Sequence, residues 1–264
     1  MRVCRVGSLV ASDGTRLVFS DNGEGPPTLL LHGLACTREV WTEVTELLTP
    51  RRRVVAVDLR GHGESTPVVG TFSLDQQADD INALLIELDL RDVVLVGHSA
   101  GGYSALAFVE RFPDVARQRV RRIVTIGTSP SLLGARERFV LRVSASRIFY
   151  ALLAIAPIGR LLVRSGAFGD NPSAAAVETT RQMALACDRS TKVSWVRAIA
   201  GTSLPLPNSP SLIAATGERD ATVTPKRLKA LAATSNAATS VVPGAGHMAP
   251  LEAPIDVARL ITTP

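Results

Sequence analysis

VVLVGHSAGG, residues 93–102, is the stretch on which the fold turns. Its first four residues are apolar and mostly β-branched, the mark of a strand buried on both faces. A helical stretch follows, running through Ala105 to Arg111. Between them, Gly97-His98-Ser99-Ala100-Gly101 fits the pattern G-x-S-x-G in the strand-to-helix context that gives it meaning. So tight a turn strains the backbone of its central residue, and side chains two positions to either side would collide unless both are glycine. Ser99 is thereby lifted above the sheet edge, over a helix N-terminus that favours developing negative charge. Gly-rich turns also arise for structural reasons alone; the flanking strand and helix favour the nucleophile.

Outward from this turn, short apolar runs alternate with longer stretches of helical spacing. The runs are Thr28 to Leu31, Val54 to Val57, Val93 to Val96, Ile123 to Ile126, Leu212 to Ala215 and Ser240 to Val242. The helical stretches are Val40 to Leu48, Leu74 to Leu88, Ala105 to Arg111, Pro225 to Ala233 and Ile255 to Ile261. Such alternation predicts an α/β fold with a parallel sheet and helices on both faces. Two strand-like pieces around Asp13-Gly14 predict a hairpin at one edge. Residues 131–205 break the rhythm: they are helical throughout and end in LPLPNSP, whose prolines forbid regular structure. They read as a helical lid inserted into a core formed by residues 1–130 and 206–264, the whole being one structural unit.

With 264 residues, 46% hydrophobic but only 4% aromatic, the chain should bury a largely aliphatic core. Three scattered cysteines (Cys4, Cys36, Cys187) do not make a disulfide framework. They point to a reducing, cytoplasmic setting, and the N-terminus lacks the pattern of a signal peptide. The longest apolar run, Ile148 to Pro157, is too short for a bilayer span and reads as a buried or pocket-lining helix. The net charge is +5, of which the segment 131–205 carries +6 from nine Arg and one Lys against four acids. No basic stripe is interleaved with aromatics, so nucleic acid is not an expected partner. Arg51–Arg53 and Arg119, Arg121 and Arg122 read as solvated lead-ins to strands.

A serine hydroxyl needs a base. Of the four histidines, His32, His62, His98 and His247, no pair has zinc-site spacing, and neither a metal nor a cofactor is expected. His98 adjoins Ser99 but points away in such a turn, and His32 and His62 lie in upstream loops. His247 follows the last strand, at the sheet edge where open α/β folds bind ligands, and is the expected general base. Asp220, in a loop after the strand SLIAAT, is the carboxylate expected to orient it, with Glu218 as runner-up. Backbone N–H groups of Leu34 and Ala100 are the expected oxyanion donors.

The chain resembles the lidded α/β-hydrolase fold enzymes, which include esterases, lactonases, cofactor-free haloperoxidases and carbon–carbon bond hydrolases. The resemblance rests on LLLHGLA (29–35), DLRGHGES (58–65), GHSAGG (97–102), and GERDATVTP (217–225) with GAGHMAPLEAP (244–254). It implies a mostly parallel eight-stranded sheet with a helical lid and the order Ser99, Asp220, His247 for the triad. It implies a shaping rather than chemical role for the DLRGHGES loop, so His62 is given no part in catalysis. The family often carries Met or Gln after the nucleophile, where this chain has Ala100. Serine at the elbow argues against haloalkane dehalogenase and epoxide hydrolase chemistry, which use Asp there. The expected reaction is hydrolysis of a small ester, thioester or lactone through an acyl-enzyme. Cleavage of a vinylogous diketone, haloperoxidase or perhydrolase chemistry, and a ligand receptor on this scaffold are the alternatives. The expected pocket walls are Cys36, Trp41, Tyr103, Phe139, Phe149, Leu152 and Met248, with ordinary core packing as the alternative for each. The basic lid admits an anionic small-molecule substrate, with surface decoration as the competing reading, and the protein is expected to be a monomer or homodimer.

Overall fold

Each dense apolar run forms a strand in the computed structural model, which describes residues 5–68, 70, 72–129, 135–233 and 235–263. β1 (Arg5–Val10) and β2 (Arg16–Asn22) make the hairpin around Asp13-Gly14. β3 (Pro27–Leu31), β4 (Arg53–Val57), β5 (Val93–His98), β6 (Val120–Ile126), β7 (Ser211–Gly217) and β8 (Ala238–Val242) follow. They join in one eight-stranded sheet of order β1-β2-β4-β3-β5-β6-β7-β8. β2 pairs antiparallel with β1 and β4, and every other pairing is parallel. This is the α/β-hydrolase architecture that the sequence resemblance implies.

The helices are α1 (Thr42–Leu48), α2 (Leu74–Glu87), α3 (Ala100–Arg111), α4 (Pro113–Arg119), α5 (Ala135–Ser144), α6 (Arg147–Ala154), α7 (Ala156–Ala167), α8 (Ala174–Ala186), α9 (Arg189–Ala200), α10 (Pro225–Ala232), α11 (Ala249–Glu252) and α12 (Pro254–Thr262). The two-residue repeat of a strand sends neighbouring side chains to opposite faces. Leu29, Leu31, Val55, Val57 and Leu95 thus meet Ile81, Leu84 and Phe108 of α2 and α3 on one side. Leu30, Val54, Val94 and Val96 meet Trp41, Val44, Val257 and Ile261 on the other. Ser73 and Gln76 close a reciprocal capping box at the start of α2.

Two short helices, α4 and α11, were not foreseen. α4 buries only Ala116, too little for a periodic apolar signal. Arg122 is not a solvated lead-in: it is buried, and its guanidinium donates to the Ile261 carbonyl at 3.1 Å. The run Ile148 to Pro157 is also not a buried helix. It is split between α6 and α7, and Ile148, Leu152 and Ile155 face outward while Leu153 is buried. Cys4 and the expected segment boundary at Ser131 lie outside the described residues.

α5 to α9 stand between β6 and β7. Among their links to the sheet domain is Trp195 of α9, which is fully buried. Its ring lies 4.7 Å from Phe72 and 5.6 Å from His62, and its indole N–H donates to the Arg60 carbonyl at 3.3 Å. Replacing Trp195 with alanine is expected to lower stability by about 3–5 kcal/mol, read from the urea midpoint, because it opens a cavity at this junction.

Candidate active site

Ser99 takes φ +49° and ψ −113°, a conformation L-residues avoid. A Cβ on Gly97 would stand 2.4 Å from the Gly101 carbonyl oxygen, so the two flanking positions are in backbone contact. The strained residue is held at both ends: its N–H donates to Ile126 at 2.8 Å, and its carbonyl accepts from the Thr128 hydroxyl at 2.9 Å.

Asp220 and His247 arrive from loops after β7 and β8. His247 Nδ1 lies 2.9 Å from Asp220 Oδ2, and His247 Nε2 lies 3.0 Å from Ser99 Oγ. An ionised carboxylate only accepts, so Nδ1–H donates to Asp220 and Nε2 is left to accept from the serine hydroxyl. Asp220 also accepts from the N–H groups of Thr222 and Val223, and the Thr216 hydroxyl lies 3.1 Å from its Oδ2 and 2.5 Å from the Val223 carbonyl. Burial pushes the Asp220 carboxyl up, but the His247 imidazole and the two N–H groups outweigh it, and its pKa lies below the ordinary value. Burial presses His247 down, yet the Asp220 charge and hydrogen bond carry its pKa above the ordinary value. Glu218, the runner-up acid, instead accepts from the Gly244 N–H.

The other three histidines are buried struts. Burial lowers their pKa to about 4 for His32 and about 3 for His62 and His98, so all are neutral. His62 Nε2 accepts from Ala35 N–H at 3.1 Å, and His32 Nε2 accepts from Leu59 N–H at 2.9 Å. Together they tie the DLRGHGES loop to the loop after β3, where Ala35 sits at φ +58°. The His98 ring turns away from Ser99 and donates from Nε2 to the His247 carbonyl at 2.8 Å. That loop lies against the nucleophile: a Cβ on Gly33 would be 2.8 Å from His98 Nδ1 and 3.3 Å from Ser99 Cβ. Among the described residues, neither Leu34 N–H nor Ala100 N–H has an acceptor.

The expected pocket walls separate into three groups. Cys36, Trp41 and Met248 are buried in one apolar cluster, against which Phe149 packs, and Tyr103 is buried in the other. Phe139 and Leu152 do not face inward as expected; both are exposed on the outer side of α5 and α6. Apolar character alone did not tell which side of a helix meets the core. Burial pushes the thiols of Cys36 and Cys187 up to about 12 and about 11, leaving them protonated.

Two further charged groups, Glu252 and Lys192, are not among the residues expected from sequence. Glu252 lies five residues after His247 and joins two segments: Oε1 accepts from Gly246 N–H at 2.9 Å, and Oε2 from Gly169 N–H at 2.6 Å. Lys192 of α9 is buried, with its ammonium 5.3 Å from the ring centres of both Phe149 and Tyr150. No carboxylate faces it among the described residues, and burial lowers its pKa. Those residues include no cluster of His, Cys, Asp or Glu suited to a metal ion, and no single helix long and apolar enough to cross a membrane.

A model of the alpha/beta hydrolase family matches residues 28–260. The chain is similar to a non-heme chloroperoxidase from Kitasatospora aureofaciens, at 37% identity over 122 residues, covering 46% of this chain and 43% of that one. It is similar to a non-heme haloperoxidase from Rhodococcus erythropolis at 39% identity over 130 residues, covering 49% and 46% respectively. It thus spans less than half the length of these curated relatives. A thermophilic esterase from Thermogutta terrifontis, solved with malate bound, superposes with a TM-score of 0.80 at 27% identity over 97% of this chain and 96% of that one.

Glu252→Gln keeps the shape but removes one acceptor and a charge that helps hold the His247 pKa up. Its His247 imidazole, followed by NMR, is expected to titrate at lower pH than in the unmodified protein. Stability should fall by about 1–2 kcal/mol from the unpaired N–H.

Proposed function

The chain belongs to the alpha/beta hydrolase family, and we propose that within it this protein is a cofactor-independent serine hydrolase of small carboxylic esters, thioesters or lactones. The reading is carried by the continuous hydrogen-bond relay from Ser99 through His247 to Asp220. His247 takes the hydroxyl proton as Ser99 Oγ attacks the substrate carbonyl. The amides of Leu34 and Ala100 hold the oxyanion. The tetrahedral species collapses, breaking the C–O (or C–S) bond, and the leaving group takes the proton from His247. Water then attacks the acyl-enzyme with His247 again as base, releasing the acid and restoring Ser99. Residues 131–205 serve as a lid over this site. Only neutral His247 accepts the proton, and its folded pKa is raised, so the rate falls with pH on an acid limb lying above the ordinary histidine value.

Similarity to the two haloperoxidases favours a second reading on the same residues. In it, hydrogen peroxide replaces water as the attacker of the acyl-enzyme and releases a peracid, which oxidises halide outside the chain's own chemistry.

Buried Lys192 favours a substrate bearing a carboxylate. An unpaired buried ammonium is costly, and an anionic acyl chain would supply its partner. Malate in the Thermogutta esterase is a small anion of this class.

A fluorophosphonate should label Ser99 and no other residue, by mass mapping. Ser99→Ala should cut p-nitrophenyl ester hydrolysis by about 10³-fold or more; near-normal rates in that variant would defeat the assignment. Peracid formation on adding peroxide decides between the two readings. Lys192→Met should lose about tenfold or more in kcat/KM on a carboxylate-bearing ester, while a neutral ester of equal length is unaffected. Equal loss on both would remove the anionic class.

A further inference from the structure

Eight of the fourteen large apolar side chains exposed among the described residues fall within residues 139–161. Phe139 (66% exposed) and Val143 (42%) stand on α5, Ile148 (74%) on α6, Ile155 (50%) at its end, and Ile158 (39%) and Leu161 (66%) on α7. Isolated exposed leucines are ordinary, but such a concentration on three consecutive helices, α5 packed on α6 and α6 on α7, is not. Residues 139–167 also hold four arginines, Arg142, Arg147, Arg160 and Arg164, and no acidic residue at all. Arg160 pairs with Glu178 of α8; the other three have no carboxylate partner among the described residues.

We propose that this face of α5–α7 docks the protein on an anionic lipid surface. Amphipathic helices with apolar residues and arginine, but no acids, lie in the plane of such a surface with their apolar side in the headgroup boundary. α6 and α7 have 8 and 12 residues and meet at 114°, so each is far shorter than the ~30 Å hydrocarbon layer; they rest on it and do not cross it. The charge selects this occupant over a second copy of the chain. Two such faces would bring guanidinium against guanidinium, whereas anionic headgroups attract each one. None of the exposed residues named here is Ser99, His247 or Asp220, and the inference does not depend on the reaction assigned to those three.

The test is flotation of the full chain with vesicles of phosphatidylcholine, alone or mixed with phosphatidylglycerol. Binding is expected to the mixed vesicles, about tenfold or more weaker to phosphatidylcholine alone or in high salt. The pair Ile148→Asp with Leu161→Asp, and the pair Arg147→Glu with Arg164→Glu, should each cost a further tenfold or so. These positions are exposed, and unchanged circular dichroism and Tm would establish that the variants fold. Absence of binding to mixed vesicles at low salt, or binding that survives both pairs, overturns the proposal. A dimer that Ile148→Asp dissociates, without vesicle binding, would assign the face to self-association instead.

Discussion

The site depends on one backbone conformation: Ser99 at positive φ between β5 and α3. A non-glycine residue there costs about 1–3 kcal/mol and persists only where its surroundings over-determine it. Here they do, because the wholly buried strand β5 enters the turn, α3 leaves it, and hydrogen bonds to Ile126 and from Thr128 hold the peptide groups on either side. Strain at this point is what carries the hydroxyl out of the sheet and toward His247. Relaxation of the turn would lower the energy of Ser99 and remove it from its partners.

Around that turn, one residue type serves two opposite electrostatic ends. His32, His62 and His98 are sealed from water with backbone partners only, so they stay neutral and act as rigid spacers between loops. His247 is also largely enclosed, but a carboxylate sits at its Nδ1 and reverses the effect of burial. The difference lies chiefly in Asp220, with Glu252 adding to it, and Asp220 is itself favoured as the carboxylate by the N–H groups of Thr222 and Val223 besides the histidine. Uncompensated, a buried carboxylate would take a proton and leave the imidazole without its orienting charge.

The helical segment is tied to the same loops. Trp195 packs on His62, Met183 sulfur accepts from Thr37 beside the loop after β3, and Gly169 shares Glu252 with the His247 loop. These helices are thereby joined to the loops that carry His62, Thr37 and His247. The segment's basic character divides between two environments: Arg142, Arg147, Arg160 and Arg164 are exposed among aliphatic side chains, whereas Arg181 is buried and Lys192 lies inside between two aromatic rings.

Much of this was legible before any coordinates. Dense apolar runs marked β3 to β8, the turn at Asp13-Gly14 marked the β1–β2 hairpin, and the glycine spacing around Ser99 admitted few structures but a strained turn. The triad candidates followed from elimination among four histidines and from their places after strands. Sequence could not give the sidedness of helices in the inserted segment: Phe139 and Leu152 read as pocket walls because hydrophobicity is a property of the residue, while exposure depends on what packs against it. Nor could it announce Glu252 or Lys192, whose partners come from segments distant in the chain and follow no fixed spacing. Local pattern was enough to set out the strands and the longer helices and to point to Ser99, Asp220 and His247, because apolar runs and glycine spacing act over short stretches; α4 and α11 escaped it. Which side chains meet, which way each helix faces and which charges are buried arise only on folding, because they depend on distances between residues far apart in the chain.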